Sequence, residues 1–188
     1  MVRHTSEDTR ADLLAAASEL FAGIGFRATS IAEVAKLAGY SKATVLYHFS
    51  TKEQLIVAWA HDLLQSLSEL DKAIGAATSP RAAQDVAVRG FARLAIDHKN
   101  KVHLLQAEIP FLLANSGMAD LADAEGRLRR ALCAGDESPH AVSAAYVVIA
   151  GVAATASRIP LDDPGEAAEV LSAIAFRTLD RSPADDDA

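Results

Sequence analysis

The sequence predicts an all-α chain, and three observations carry that prediction. Strand signals are nearly absent, alanine is spread along the whole length, and apolar residues recur at helical spacing between Ser/Thr/Asp caps and Gly/Pro stops. The expected architecture is a three-helix head at the N-terminus on a larger helical body, about nine helices in all. With 188 residues, 51% of them apolar, the chain is long enough to fold around a full core without staples. The single cysteine, Cys133, excludes an intrachain disulfide and points to a reducing compartment. No basic-then-apolar leader opens the sequence. The greasiest stretch, Ala141 to Ala156, is interrupted by Ser143, Tyr146, Gly151 and Thr155 and falls short of the roughly 20 apolar residues of a membrane span. A cytoplasmic protein with no membrane partner is the expectation.

Each element follows from its own residues. Met1 to Glu7 reads as an arm, and the first helix runs from about Ser6 to Gly23 with Leu13, Leu14, Ala17, Leu20 and Phe21 on one face. Gly23 and Gly25 end it, and Phe26 turns back onto it. Ser30-Ile31-Ala32-Glu33 has capping-box spacing and opens a short second helix, with Ile31, Val34, Ala35 and Ala38 inward and Gly39 closing it. Ser41 caps a third helix, Lys42 to His48. A fourth begins near Thr51 and is expected to continue unbroken to about Ala76, carrying Leu55, Ile56, Trp59, Leu63 and Leu67 and joining head to body. Ser79-Pro80 is a cap followed by a first-turn proline, opening a fifth helix to Asp97. A sixth covers Lys101 to Glu108 and stops at Pro110, and a seventh runs from Met118 to Cys133. Ser138-Pro139 and Asp163-Pro164 open the eighth and ninth. Ser182 to Ala188, with three successive aspartates, reads as a disordered acidic tail. The expected division is a three-helix head at 1–50, a larger helical body at 51–181, and the tail at 182–188.

Charge separates the two parts. The chain carries −7 overall, yet residues 1–52 hold six Lys/Arg against five Asp/Glu, a balance of +1, and the remainder carries −8. A neutral-to-basic head on an acidic body suits a protein whose head alone approaches phosphate. Other chemistry is not signalled. His61, His98, His103 and Cys133 show no metal-ligand spacing, and there is no glycine-rich phosphate loop, nucleophile elbow or paired carboxylate constellation. The expectation is therefore no enzyme, no cofactor and no metal.

Thr29 to Phe49 is the most specific stretch. Two short helices joined by Ala38-Gly39-Tyr40 cannot form a core alone, so they pack on the first helix in helix-turn-helix fashion, with Gly39 supplying the turn. The third helix projects Lys42, Ala43, Thr44 and Tyr47 outward, while Val45, Leu46 and Phe49 hold it to the head. Residues 10 to 59 resemble the TetR family of bacterial transcriptional regulators. The features that carry the resemblance are Ala16-Ala17 with Leu20-Phe21, Gly25-Phe26 with Thr29-Ser30-Ile31, Ala35 with Ala38-Gly39-Tyr40-Ser41-Lys42-Ala43-Thr44, and Leu46-Tyr47 with Phe49, Lys52 and Leu55. Tyr40 and Ala43 depart from it, standing where the family often has a smaller aliphatic residue and glycine.

The resemblance implies a homodimer that sets two recognition helices in successive major grooves of a palindromic double-stranded DNA operator, and a body that binds a small-molecule effector. The physical reading of the head agrees. A helix fits a major groove about 12 Å wide, and Thr44 is short enough to reach a base edge. Lys42 is expected on guanine or phosphate. Ser41 and Ala43 flank it, and Tyr47, His48 and Lys52 are expected on the backbone. Thr29 and Ser30 are expected to clamp phosphate, and Arg3 and His4 to reach DNA from the arm. In the body, the eighth helix is apolar nearly all round, so a dimer interface is expected at Val142, Ala145, Ile149, Val152, Ala153, Val170, Leu171 and Ile174. Trp59, Leu63, Phe91, Leu94, Ile109, Phe111 and Leu112 are the candidate effector pocket. The function expected is a transcriptional regulator, a repressor released by a small effector. The alternatives are an orphan regulator without an inducer and a helical adaptor that binds only protein.

Overall fold

Every regular element in the computed structural model is a helix. It describes residues 5–105, 119–160 and 162–180, and there is no strand among them. The helices are α1 Ser6–Ile24, α2 Ile31–Ala38, α3 Lys42–His48, α4 Lys52–Trp59, α5 His61–Gly75, α6 Pro80–Asp97, α7 over residues 99–105, α8 Ala119–Leu132, α9 Pro139–Ala156 and α10 Pro164–Asp180. The difference from the expected count lies at Ala60, where the anticipated long fourth helix is broken into α4 and α5. Ala60 sits at φ −88°, ψ 1°, and its N–H still reaches the Ile56 carbonyl. It is 1% exposed and no Gly or Pro stands nearby, so the interruption is set by tertiary packing rather than by local propensity.

The chain forms two compact units, one running through Asp62 and the other beginning at Leu63. The first therefore extends past residue 50 to include α4, which packs on α1, while α2 packs on both α1 and α3. Its core is Leu13, Ala17, Phe21, Phe26, Val34, Val45, Phe49, Leu55 and Ile56, none more than 2% exposed. Phe21 is the hub. Phe26 and Trp59 both meet it edge-on at 5.4 Å between centroids. Each such pair adds about 0.5–1.5 kcal/mol to the burial of the rings themselves.

The second unit is built around α6, which packs on α8, α9 and α10. Alanines on the facing sides (Ala87, Ala92 and Ala95 of α6, Ala144, Ala145 and Ala153 of α9, Ala167 and Ala175 of α10) are buried and let the helices approach closely. Polar struts brace it: Arg127 pairs with Asp71 at 2.6 Å, Gln84 donates to the Leu132 carbonyl at 2.6 Å, and Ser66 hydrogen-bonds His98 at 3.0 Å. By length and composition α9, at 18 residues, is apolar enough to cross a membrane, although it stays short of the roughly 20 apolar residues of a typical span. It packs against α6, α8 and α10, and 33% of it is buried. The acidic tail at 182–188 lies outside the described residues.

Candidate nucleic-acid interface

The helix-turn-helix is assembled from local hydrogen bonds that the sequence spells out. Ser30 caps α2: its Oγ accepts from the Glu33 N–H at 3.2 Å, and Glu33 Oε2 accepts from the Ser30 N–H at 2.7 Å. The Ser30 hydroxyl and N–H, joined by the charges of Lys52 and Lys36, hold the Glu33 carboxyl below its ordinary pKa. Gly39 closes α2 in the left-handed region at φ 78°, ψ 23°, which a side chain would resist. Ser41 then caps α3, its Oγ accepting from the Thr44 N–H at 3.0 Å. Val45 and Phe49 point inward at 0% and 2% exposure. That leaves Lys42, Ala43, Leu46 and Tyr47 outward, with Tyr47 82% exposed. A short helix with one face locked in the core and the other bare is the geometry that enters a groove.

The expected DNA contacts divide into three groups. Lys42, Ala43 and Tyr47 are outward as anticipated, and half-buried His48 stands edge-on to Tyr47 at 5.3 Å. Ser30, Ser41 and Thr44 are occupied in capping; Thr44 Oγ1 lies 2.8 Å from Ser41 Oγ, and its side chain is half-buried. Thr29 and Lys52 hold the head together. Thr29 is 2% exposed, and its hydroxyl donates to the Gly25 carbonyl at 2.8 Å, locking the turn between α1 and α2. Lys52 Nζ donates to the Arg27 carbonyl at 3.1 Å and lies 4.3 Å from the centre of the Phe26 ring. Arg3 and His4 lie outside the described residues. Leu46, expected to hold α3 to the head, is 40% exposed on the outward face instead. Helical spacing carries the reason: Lys42 and Ala43 are one turn from Leu46 and Tyr47, and Val45 and Phe49 are one turn apart on the other side.

The sequence marked Tyr40 only as a turn residue that departs from the family pattern, and it did not mark Arg10. The Tyr40 hydroxyl donates to Asp12 Oδ2 at 2.8 Å, and the Arg10 guanidinium lies 5.3 Å from the centre of the Phe49 ring. Both join the α2–α3 segment to α1 across a long sequence separation, which single-residue patterns do not reveal.

The body residues also redistribute. Ala145, Val152, Ala153 and Leu171, expected at a dimer interface, are 0%, 6%, 1% and 3% exposed and belong to the core of this unit. In an alanine-rich helix the two sides look alike, so the sequence pattern does not say which is covered. Val170 and Ile174 are exposed as expected, and they are accompanied by Tyr146 and Val147, while Val142 and Ile149 are half-buried. Of the pocket candidates, Trp59 belongs to the aromatic core of the head, and Leu63, Phe91 and Leu94 are buried in the body. Ile109, Phe111 and Leu112 lie outside the described residues. Two surface clefts occur elsewhere, one in the head lined by residues that include Arg10, Glu53, Gln54 and His61, the other in the body by residues that include Asp71, Ile74, Pro80, Arg127 and Arg130. Among the described residues no group of three His, Cys, Asp or Glu is placed to hold a metal.

Comparison with known proteins finds a family model that matches the head. Residues 13–59 match the model for bacterial regulatory proteins of the tetR family. The HTH-type transcriptional regulator TtgR of Pseudomonas putida is 39% identical over 72 residues, covering 37% of this chain and 32% of TtgR. The chain thus aligns with about a third of that relative's length. Among solved structures, the ketosteroid transcriptional regulator KstR2 of Mycobacterium tuberculosis superposes with a TM-score of 0.71 at 18% identity, covering 90% of this chain and 92% of that one. A bacterial regulatory protein in the tetR family from Rhodococcus RHA1 gives 0.66 at 24% identity, covering 93% and 98%. These likenesses show that the chain shares the fold of those regulators. Residues 13–59 are thus similar to the DNA-binding segment of tetR-family bacterial regulatory proteins, and the chain shares the fold of the solved regulators.

Proposed function

We propose that the protein is a homodimeric transcriptional regulator that reads a palindromic duplex through α3 and acts in the cytoplasm as a repressor. The observation that carries this reading is the outward face of α3: Lys42, Ala43, Leu46 and Tyr47 are presented to solvent by a helix capped at Ser41 and anchored by Val45 and Phe49. Lys42 supplies a cation for guanine or phosphate, and Ala43 and Leu46 offer apolar contact to thymine methyls. Tyr47 offers a hydroxyl to the backbone. Occupying a promoter with a compact dimer blocks polymerase without further machinery.

Dimerisation is supported by Tyr146, Val147, Val170 and Ile174, large side chains 38–60% exposed on α9 and α10, two helices that pack on each other. A second copy covers such a face most simply, because an isologous interface needs only a self-complementary patch. Selection of genomic fragments by the full-length protein tests the reading. The expected result is one enriched inverted repeat whose half-site centres lie about 34–36 Å apart or a multiple of that. Fragments recovered without a shared sequence contradict it.

Control by a small, weakly polar effector bound in the body is part of the proposal, with Leu63, Phe91 and Leu94 as its apolar interior. The orphan reading has its own support, since these three side chains are only 5–7% exposed and neither surface cleft is lined by them. A screen for compounds that release the protein from its selected operator separates the two. Release abolished by Phe91→Ala, with operator affinity retained, supports the interior site, and no releasing compound supports the orphan.

A further inference from the structure

We propose that Tyr40 is a positioning residue: its hydroxyl, held by Asp12 on α1, fixes the angle at which α3 is presented. This inference rests on the reading of α3 as the DNA-reading helix. It starts from an imbalance in packing. α2 lies against both α1 and α3, and α1 lies against α4, but direct packing between α1 and α3 is slight. Val45 and Phe49 seat one face of this seven-residue helix in the core, and with α2 as its main helical neighbour the remaining freedom is a tilt about that face. Two side-chain ties oppose the tilt, one at each end of α3. Before its first turn, Tyr40 sits in the turn itself, with its N–H on the Ala35 carbonyl at 2.9 Å and its hydroxyl on Asp12 Oδ2 at 2.8 Å. Beyond its last turn, the Phe49 ring lies 5.3 Å from the Arg10 guanidinium. Arg10 and Asp12 are two positions apart on α1, so one short stretch of that helix grips α3 fore and aft.

The residue type fits the role. A small aliphatic side chain at position 40 supplies no donor and is too short to reach α1, whereas a tyrosine spans the gap with a rigid ring and ends in a hydroxyl. Asp12 provides an ionised acceptor, which makes the bond stronger than one between neutral groups. The half-buried ring of Tyr40 stays in place when only its hydroxyl is removed, so Tyr40→Phe tests the tie without opening a cavity. Sequence discrimination depends on the angle of α3, because base contacts need atoms placed within hydrogen-bond reach. General attraction to the phosphate backbone does not.

The experiment combines a DNA-free arm with a DNA arm on the full-length protein. In the first, residual dipolar couplings of residues 42–48 relative to α1 are measured for wild type, Tyr40→Phe, Asp12→Ala and the double variant. Each single variant is expected to reorient or broaden α3 while the couplings of α1 and α4 hold, and the double variant to match Tyr40→Phe, which also removes the hydroxyl's hydrogen bond with Thr9 on α1. Unchanged α3 couplings in Tyr40→Phe overturn the proposal whether or not the protein binds DNA. In the second arm, the ratio of affinities for selected operator and shuffled duplex is expected to fall about tenfold in Tyr40→Phe, with the salt slope unchanged. Asp12→Asn, which keeps an acceptor oxygen, is expected to retain the ratio. Should Tyr40→Phe lose discrimination as strongly in a background carrying both Asp12→Ala and Thr9→Val as in wild type, Tyr40 acts on DNA directly and the positioning role is wrong. A wild type with no preferred operator removes the DNA reading instead, and the couplings still decide whether the tie exists.

Discussion

Replacing Lys52 by methionine separates two roles that the residue type alone leaves mixed. The methionine keeps the aliphatic stem and removes the ammonium, which donates to the Arg27 carbonyl at 3.1 Å and lies 4.3 Å from the Phe26 ring centre. A net hydrogen bond contributes about 0.5–1.5 kcal/mol, and a cation–π contact at a partly exposed site about 0.5–1. Lys52 is half-buried, so solvent screening places the combined loss near the lower half of that range, about 1–1.5 kcal/mol. For a chain of this size the unfolding midpoint is expected to drop by about 2–6 °C. Circular dichroism melts measure that, and fluorescence anisotropy on a duplex at several salt concentrations measures the role in binding. If Lys52 is a staple, the melt shifts and the slope of log affinity against log salt changes by much less than the roughly 0.9 units that one lost phosphate contact produces. An unchanged melt with a slope reduced by about one unit refutes the argument and returns Lys52 to the phosphate backbone.

Three further outcomes follow from the same geometry. Thr29→Val removes the buried hydroxyl bonded to the Gly25 carbonyl and is expected to cost about 1–2 kcal/mol in denaturant unfolding, with operator affinity retained by the folded fraction; lost affinity at full stability reverses that assignment. Val147→Glu, on the exposed side of α9, is expected to give a folded monomer in sedimentation, whereas Ala145→Glu, at 0% exposure, should unfold the body; a Val147→Glu protein that remains dimeric moves the interface elsewhere. Glu33 has a lowered folded pKa, so its support of α2 is full above the ordinary carboxylate value of about 4.3 and is lost as pH falls through the folded value. A carbon-detected NMR titration should place the Glu33 midpoint below that of an unstructured peptide and show it rising in Ser30→Ala, and an unmoved midpoint denies the reciprocal cap.

What the sequence made legible was whatever is encoded within one helical turn. The capping box at Ser30 and Glu33, the cap at Ser41, the proline openings at Pro80, Pro139 and Pro164, and the turn at Gly39 are i, i+3 or single-residue signals, and each stands where it was read. Signals that depend on distant partners were not legible. The break at Ala60 has no Gly or Pro to announce it. Lys52 and Thr29 are residue types that contact phosphate or brace a turn equally well, and only the positions of the Arg27 and Gly25 carbonyls distinguish the two. The Tyr40–Asp12 bond joins residues 28 positions apart. In α9 the apolar pattern runs nearly all round, so Ala145 and Ala153 could be told from Val147 only once α6, α8 and α10 had covered one side.

The central claim is that the outward face of α3 reads a particular sequence. The most direct test is the affinity ratio between a selected inverted repeat and the same bases shuffled, measured at physiological salt for wild type and for a variant carrying Leu46→Ala and Tyr47→Ala. Both substitutions lie on exposed positions, so the head should stay folded. The account predicts a wild-type ratio of at least about 10³ that falls by ten-fold or more in the variant, while affinity for the shuffled duplex changes little. Equal affinity of the wild type for both duplexes, or a ratio untouched by stripping this face, contradicts it.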